Sequence, residues 1–431
     1  MQNKFQIYGN IEENIIIPKK MKAVLMSQTG LENLKLGEVD IPQPNDNQLL
    51  VRVDACTICP STMKLLSQGP EHTFVNGWDI EKYPITPGDE GSVTAVKVGK
   101  NLVKKYKVGE RLCIQPAVDC PPINHRERYR NVEAMKKTAV GYTLGGHLSQ
   151  YMLVQEEVLE ANCLLKIPSQ SMGYYEVSLS EPLSCVVSSQ DHHVHLTFNA
   201  ETGNRVPMKG LLKGGVTVIF GAGVMGRFHI ESALSYSPRK IIVLDIREDR
   251  FQWIEKYITP RAKKKGIDLH CVVAGKDDTK NVIQKISGQN YGDDIIEASG
   301  SGIAQKEALK ITGKGSVVNS FGGLKIEDAI IPVDMRKVHY DESIITGSSG
   351  GNWGDTVKTL NMINSGDLQV GTYIKLVGDL NNAVEFLNLV NQAKIDGKAI
   401  VYPHAKADKP LEVKDEWTRE KEAEFLEKNL K

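Results

Sequence analysis

From Met21 to about Leu153, hydrophobic and polar residues alternate in short runs (MKAVLM, QLLVRVDA, GSVTAVKVG, RLCIQ, LSQYMLV) separated by clusters of Gly, Pro and Asn. Period-two alternation bounded by turn residues predicts an antiparallel β-rich domain, with one helical stretch after Cys59. The rhythm changes at Gly214. Six apolar segments, VTVIF (216–220), KIIVLDI (240–246), LHCVV (269–273), DDIIEA (293–298), SVVNSF (316–321) and SIITGS (343–348), now alternate with helical stretches, which predicts a parallel, doubly wound sheet. Beyond about Trp353, DTVKTLNMINSG and NNAVEFLNLVNQA read as helices and KAIVYP as a strand. This piece is too small to stand alone, so it is expected to fold back on the first domain. The expected division is a discontinuous β-rich domain, 1–190 and 350–431, around an α/β domain, 191–349. The run RAKKK (261–265) reads as a solvated loop, and the tail VKDEWTREKEAEFLEKNLK, with Glu and Lys at helical spacing, as a solvated helix.

Composition narrows the function class. Lys plus Arg and Asp plus Glu both number 53, so no net field draws the chain to nucleic acid or to an anionic membrane, and a small-molecule partner is expected. The first twenty residues hold only the short apolar run Ile15–Ile17, which predicts no secretory leader, and no stretch has the ~18 apolar residues of a membrane span. Seven cysteines, an odd number spread over 431 residues, argue for reduced thiols and a cytoplasmic compartment.

Gly221, Gly223 and Gly226 form G-x-G-x-x-G directly after VTVIF, with Val224 and Met225 opening the helical segment that follows. The first glycine permits a tight turn, the second lets the backbone approach a pyrophosphate, and the third lets helix and strand pack; the helix N-terminus supplies dipoles for the anion. Asp245 stands nineteen residues past Gly226, at the end of the next apolar strand, where a carboxylate holds the adenosine ribose hydroxyls. Asp245 points to NAD; Arg247 and Arg250 follow closely and keep NADP open, because an inward-turned guanidinium accommodates a 2′-phosphate. Glycines that only pack a strand against a helix are the bland alternative.

Four elements of the first half offer metal chemistry together: TIC-PST (57–62), PGDEG (87–91), SEPLSC (180–185) and the paired glycines of GYTLGGHLSQY (141–151). A thiolate with two or three carboxylates makes an open zinc site with a position left for a substrate oxygen, although a buried thiol, a capping aspartate and surface glutamates account for the same residues. His192, His193 and His195 are unevenly spaced and read as helix surface or packing. His72 and His147 are candidates for touching substrate hydroxyls.

Taken together, CPSTMK, QGPEH (68–72), LSEPLSC and GSSGGN (347–352) make residues 21–405 resemble a zinc-dependent medium-chain dehydrogenase/reductase of the polyol dehydrogenase branch, most like the L-sorbose-1-phosphate reductase subfamily. The resemblance implies an α/β fold: a Rossmann doubly wound parallel sheet plus a β-rich GroES-like catalytic domain. It implies hydride transfer between NAD, or NADP, and a sugar alcohol or ketose that is a candidate for phosphorylation, with zinc as cofactor and a homo-oligomer, dimer or tetramer, as the assembly. Carried over residue by residue, it makes Cys59 a metal ligand with Cys56 a bystander, places Asp89 and Glu90 on the family's Gly-His-Glu motif, and places Glu181 on its Glu-Pro motif. Ser61 falls where a hydroxyl relays the substrate proton. Two departures stand out. Asp89 replaces the usual histidine, giving a more anionic site, and Lys64 stands where a relay histidine is common, a fixed charge able to hold phosphate or extend the relay. Cys113 and Cys120 are too few for the four-cysteine structural zinc of many relatives. The competing readings are a nucleotide-binding sensor without a metal and a metal-free reductase.

Overall fold

The computed structural model describes residues 17–430. Most of the N-terminal stretch inspected above for a leader lies outside the described residues. The chain divides into two compact units: one runs to Glu181 and resumes at Asn352, the other spans Pro182–Gly351. The division falls inside one helix, Ser180–Asp191.

The second unit is the expected parallel sheet. Its strands lie in the order Asp268–Val273, Lys240–Asp245, Val216–Phe220, Asp294–Glu297, Val317–Ser320, Ile344–Gly347, and all five pairings are parallel. The central strands are apolar on both faces because helices cover both, with Val218, Ile242, Ile295 and Val318 at zero exposure. Strand order reverses beside Val216–Phe220, which creates the crevice where such sheets bind nucleotides.

In the first unit an eight-stranded sheet is built around Leu49–Thr57, which pairs with Glu90–Val98, Tyr151–Val154 and Lys398–Val401, all antiparallel. The C-terminal segment thus returns as expected: Ile374–Gly378 lies parallel to Lys398–Val401, which in turn pairs with Leu49–Thr57. All nine residues of Leu49–Thr57 are buried, including Arg52 and Asp54, whose ion pair (2.7 Å) satisfies both charges inside the sheet.

Three expectations need correction. RAKKK is not a loop: Thr259–Lys264 is helical, and Arg261 pairs with the buried Glu231. Of the histidine group, His193 and His195 are buried, as the packing reading has it, and are not helix surface, whereas His192 is exposed. His193 Nδ1 and His195 Nε2 lie 2.7 and 2.8 Å from the same Asp294 oxygen, and Asp294 Oδ2 accepts from Leu212 N (2.7 Å). Although burial raises it, the two imidazoles bring the Asp294 carboxyl down to about 2. The tail helix, Arg419–Asn429, is not solvated on all sides. It buries Phe425, Leu426 and Glu422, because its mixed-charge pattern hides an apolar pair spaced to face the domain.

Candidate active site

Cys59 follows the buried strand Leu49–Thr57 and leads into the helix Thr62–Gln68. Ser61 occupies the N-cap position of that helix, yet its hydroxyl caps nothing. It donates instead to Asp89 Oδ2 (2.8 Å) and lies 3.0 Å from Cys59 Sγ. A good capping side chain diverted from its helix is a sign that the site, and not the helix, sets its position.

Asp89 and Glu90 enter the next strand from Gly88, whose φ of +107° and packing against the Leu148 amide exclude a side chain. The segment 141–151 pins this turn: His147 N and Leu148 N donate to Gly88 O (2.9 Å) and Pro87 O (3.0 Å). Of the paired glycines of the sequence, Gly146 therefore acts by close approach, whereas a side chain at Gly145 would meet open space. A methyl at Gly146 would overlap the Pro87 carbonyl. His147 lies over Gly91 with Nδ1 3.0 Å from Gly88 O, fully buried and held down to about 4 by burial. It braces this turn.

Ligand atoms of Cys59, Asp89 and Glu90 lie within 4.8 Å of one another. Burial, then Asp89 and Glu90, push the Cys59 thiol well up; burial, then Glu90, push Asp89 up. Asp89 Oδ1 is buried without a hydrogen-bond partner among the described residues. A sulfur and carboxylate oxygens converging in a buried place, one oxygen unspent, form a donor set that fits a divalent cation, which removes the mutual repulsion and the desolvation cost together.

Glu90 has both oxygens engaged. Thr57, opposite it across the strand pair, donates to Oε2, and Lys398 Nζ is 2.6 Å from Oε1. Ser178 ties the same corner together, accepting from Thr57 N (2.9 Å) and donating to Glu90 O (3.1 Å). Glu181 is half-buried in the first turn of the helix that follows, close enough to Cys59 to raise its thiol. Cys56 is buried behind the cluster, its thiol donating to Thr57 O (3.5 Å). Cys113 and Cys120 are buried free thiols, Cys113 Sγ being 3.4 Å from Ser180 Oγ.

Lys64 is exposed on the helix Thr62–Gln68. His72 is buried, its ring centroid 4.9 Å from that of Tyr142 and 5.7 Å from that of Phe74. Tyr142 interacts with Ser61 and feels Asp89 and Cys59; burial first, then Asp89, push its phenol well up. Sequence reasoning missed Lys398 and Tyr142. A lysine opening the apolar run KAIVYP was the one available signal for the first; Tyr142 carried none.

In the other unit, Gly221 has φ +104°, and Gly223 precedes the helix Val224–Ala233 with no side chain capping it. At Gly226 a methyl would overlap the Gly221 carbonyl. Asp245 Oδ2 accepts from Ala222 N (2.6 Å) and Arg250 Nη1 (3.0 Å), and Oδ1 accepts from Arg247 N (2.8 Å). Arg247 turns away to Asp249 (2.5 Å). The uncapped helix start and the bare glycine turn fit a dinucleotide pyrophosphate.

Residues 45–168 match the alcohol dehydrogenase GroES-like domain. The chain is 28% identical over 391 residues to mannitol-1-phosphate 5-dehydrogenase of Aliivibrio fischeri, covering 89% of this chain and 86% of that protein. It is 25% identical to L-sorbose 1-phosphate reductase of Klebsiella pneumoniae, covering 86% of each. The structure of 2R,3R-butanediol dehydrogenase from Bacillus subtilis shares the fold with a TM-score of 0.69 at 20% identity, over 89% of this chain and 99% of that one. Fold and relatives define an NAD(P)-dependent oxidoreductase of the alcohol dehydrogenase type. The chain resembles the zinc-type medium-chain dehydrogenases/reductases, its relatives including polyol dehydrogenases.

Proposed function

We propose that the chain interconverts a sugar alcohol and a ketose, with Cys59 and Asp89 as zinc ligands joined by Glu90 or Glu181. The observation that carries this reading is the buried cluster of Cys59, Asp89 and Glu90 with its unspent Asp89 oxygen. Because Thr57 and Lys398 occupy both Glu90 oxygens, Glu181 is favoured as the standing third ligand and Glu90 as a residue that supports the site or exchanges into it.

Zinc, when bound, supplies a Lewis acid that polarises the substrate oxygen and lowers the pKa of the alcohol. Ser61, fixed between Cys59 and Asp89, holds a hydroxyl where the substrate proton leaves. Lys398 balances the charge around Glu90 from inside the sheet. The Gly221 turn and the start of the helix Val224–Ala233 hold the dinucleotide, with Asp245 beside its adenosine ribose and Arg250 paired to that carboxylate. The dinucleotide, when bound, would supply the hydride chemistry, and Ser61 would pass on the hydroxyl proton of the substrate.

Two relatives are named for phosphorylated substrates, and Lys64, one turn along from Ser61, supports a phosphorylated ketose here. Seven free cysteines suit a reducing cytoplasm, and no described helix is long and apolar enough to cross a membrane. The strand Ile344–Gly347 ends its sheet with Ile345 exposed, which supports pairing across a twofold axis in a homo-oligomer.

Elemental analysis of protein purified without chelator, followed by NADH and NADPH oxidation with ketoses and ketose phosphates, tests the reading. About one zinc per chain with turnover is expected. A chain that binds the dinucleotide but takes up no zinc from supplemented buffer and turns nothing over is a sensor, and the proposal fails.

A further inference from the structure

We propose that His193, His195 and Asp294 form a second metal site, a buried zinc clamp at the base of the hairpin made by Val194–Phe198 and Arg205–Lys209. The inference goes beyond the dehydrogenase reading and does not depend on the Cys59 cluster.

All three residues belong to the unit Pro182–Gly351, and all three are buried. His193 directly precedes the strand Val194–Phe198 and His195 is its second residue, while Asp294 opens a central strand of the parallel sheet. His193 Nδ1 and His195 Nε2 converge on Asp294 Oδ1 at 2.7 and 2.8 Å, and the three donor atoms lie within 4.8 Å of one another. Two atoms bound to one tetrahedral zinc stand ~3.3 Å apart, so each ring has to retreat from the oxygen by only ~0.5 Å to admit the ion.

The surroundings hold these side chains as a ligand set is held. Asp294 Oδ2 accepts from Leu212 N (2.7 Å), which fixes the carboxylate and leaves Oδ1 to the two rings. The Gly315 backbone hydrogen-bonds the His195 ring. Backbone contacts of this kind orient metal-bound carboxylates and imidazoles. Thr217 is the register partner of Asp294 on the neighbouring strand, so it shares that face of the sheet. It is wholly buried, and its hydroxyl has no hydrogen-bond partner among the described residues. A buried polar oxygen left unpaired is costly, and beside two imidazoles and a carboxylate it offers zinc a fourth donor.

The hairpin gains an anchor from such a site. It forms a two-stranded sheet of its own, with Leu196 and Phe198 exposed, and a lone pair of strands is marginally stable. Metal at its base ties it to the parallel sheet. Without a thiolate, the clamp is expected to hold zinc less tightly than the Cys59 cluster and to yield it to a chelator.

The test uses the full chain as wild type, Cys59→Ser and His195→Asn, each dialysed against chelator and then titrated calorimetrically with zinc. The wild type is expected to take up about two zinc per chain, and each single variant about one. In Cys59→Ser, zinc is expected to slow amide exchange over residues 194–209 by ~10-fold or more, and His195→Asn should lose that slowing. No uptake by Cys59→Ser overturns the clamp. So does uptake that leaves exchange over 194–209 unchanged, which marks an adventitious ion only. Both readouts on Cys59→Ser remain decisive should His195→Asn fail to fold. Equal uptake by Cys59→Ser and the wild type, with the hairpin protected in both, supports the clamp and defeats the Cys59 metal reading instead.

Discussion

Lys398 Nζ stands 2.6 Å from Glu90 Oε1, both side chains almost wholly buried, joining residues 308 positions apart beside Cys59 and Asp89. Burial lowers the lysine pKa, but Glu90 and the other anions of the site more than reverse this, so the ammonium form is retained. The pair anchors the returning C-terminal strand to the strand that carries Glu90.

Removing one partner leaves the other charge buried alone. Lys398→Met is expected to cost ~3–5 kcal/mol, read by urea unfolding. The double variant Lys398→Met/Glu90→Gln should recover most of that loss. If the single variant is as stable as the wild type, the pair is not a buried brace.

Asp89 sets the charge of the cluster. Asp89→Asn is expected to leave little metal after dialysis against chelator and to lower kcat/KM ~10³-fold, a Lewis acid supplying several kcal/mol to such a step. Asp89→His is expected to retain zinc more strongly than Asp89→Asn, since a neutral imidazole is a good zinc ligand and removes one buried anion. Elemental analysis of the three proteins, run in parallel, checks the order.

Glu422 links the tail helix to the active-site domain. Its carboxylate accepts from Tyr174 N and Tyr175 N (2.9 Å each) at the start of the helix Tyr174–Ser178, and from the Tyr402 hydroxyl (2.7 Å). Glu422→Ala leaves those donors buried without an acceptor and is expected to destabilise the chain by ~3 kcal/mol or more. Because Ser178 at the other end of that helix holds Thr57 and Glu90, metal retention should fall as well. Unfolding and chelator titrations read the two effects separately.

Acid should unfold the chain early. His229 is held to about 3 by burial and then His193, and His404 to about 3 by burial and then Arg52. Unfolding releases both rings to take up protons below ~6.5. A depressed imidazole pKa means that stability is complete above that value and lost as pH falls toward 3, at ~1.4 kcal/mol per pH unit for each ring. Unfolding free energies at pH 7.5, 6.5 and 5.5 are expected to drop by ~2 kcal/mol over the last interval from these two groups, the full slope being reached only below that. A His404→Asn variant should show about half of that slope.

The six parallel strands, the glycine turn and Asp245 were legible from the chain because each is a local signal: apolar runs at regular spacing, three glycines at a fixed spacing after a strand, a carboxylate at a strand end. Cys59, Asp89 and Glu90 stand in separate local motifs that only the family resemblance joined beforehand; the fold brings their ligand atoms within 4.8 Å of one another. The tail was misread because Glu and Lys at helical spacing mark a solvated face and say nothing of the Phe425 and Leu426 side.

By itself the amino-acid sequence determined the two kinds of architecture, the nucleotide fingerprint and the residue types available for a metal, since periodicity and turn chemistry act over a few neighbours. Only the tertiary structure decided which donors meet. Lys398 reaches Glu90, Glu422 caps Tyr174 and Tyr175, and Tyr142 settles between Ser61 and His72. Partners so far apart along the chain leave no mark on one another's local pattern, and burial, which makes each contact matter, exists only after the strands have assembled.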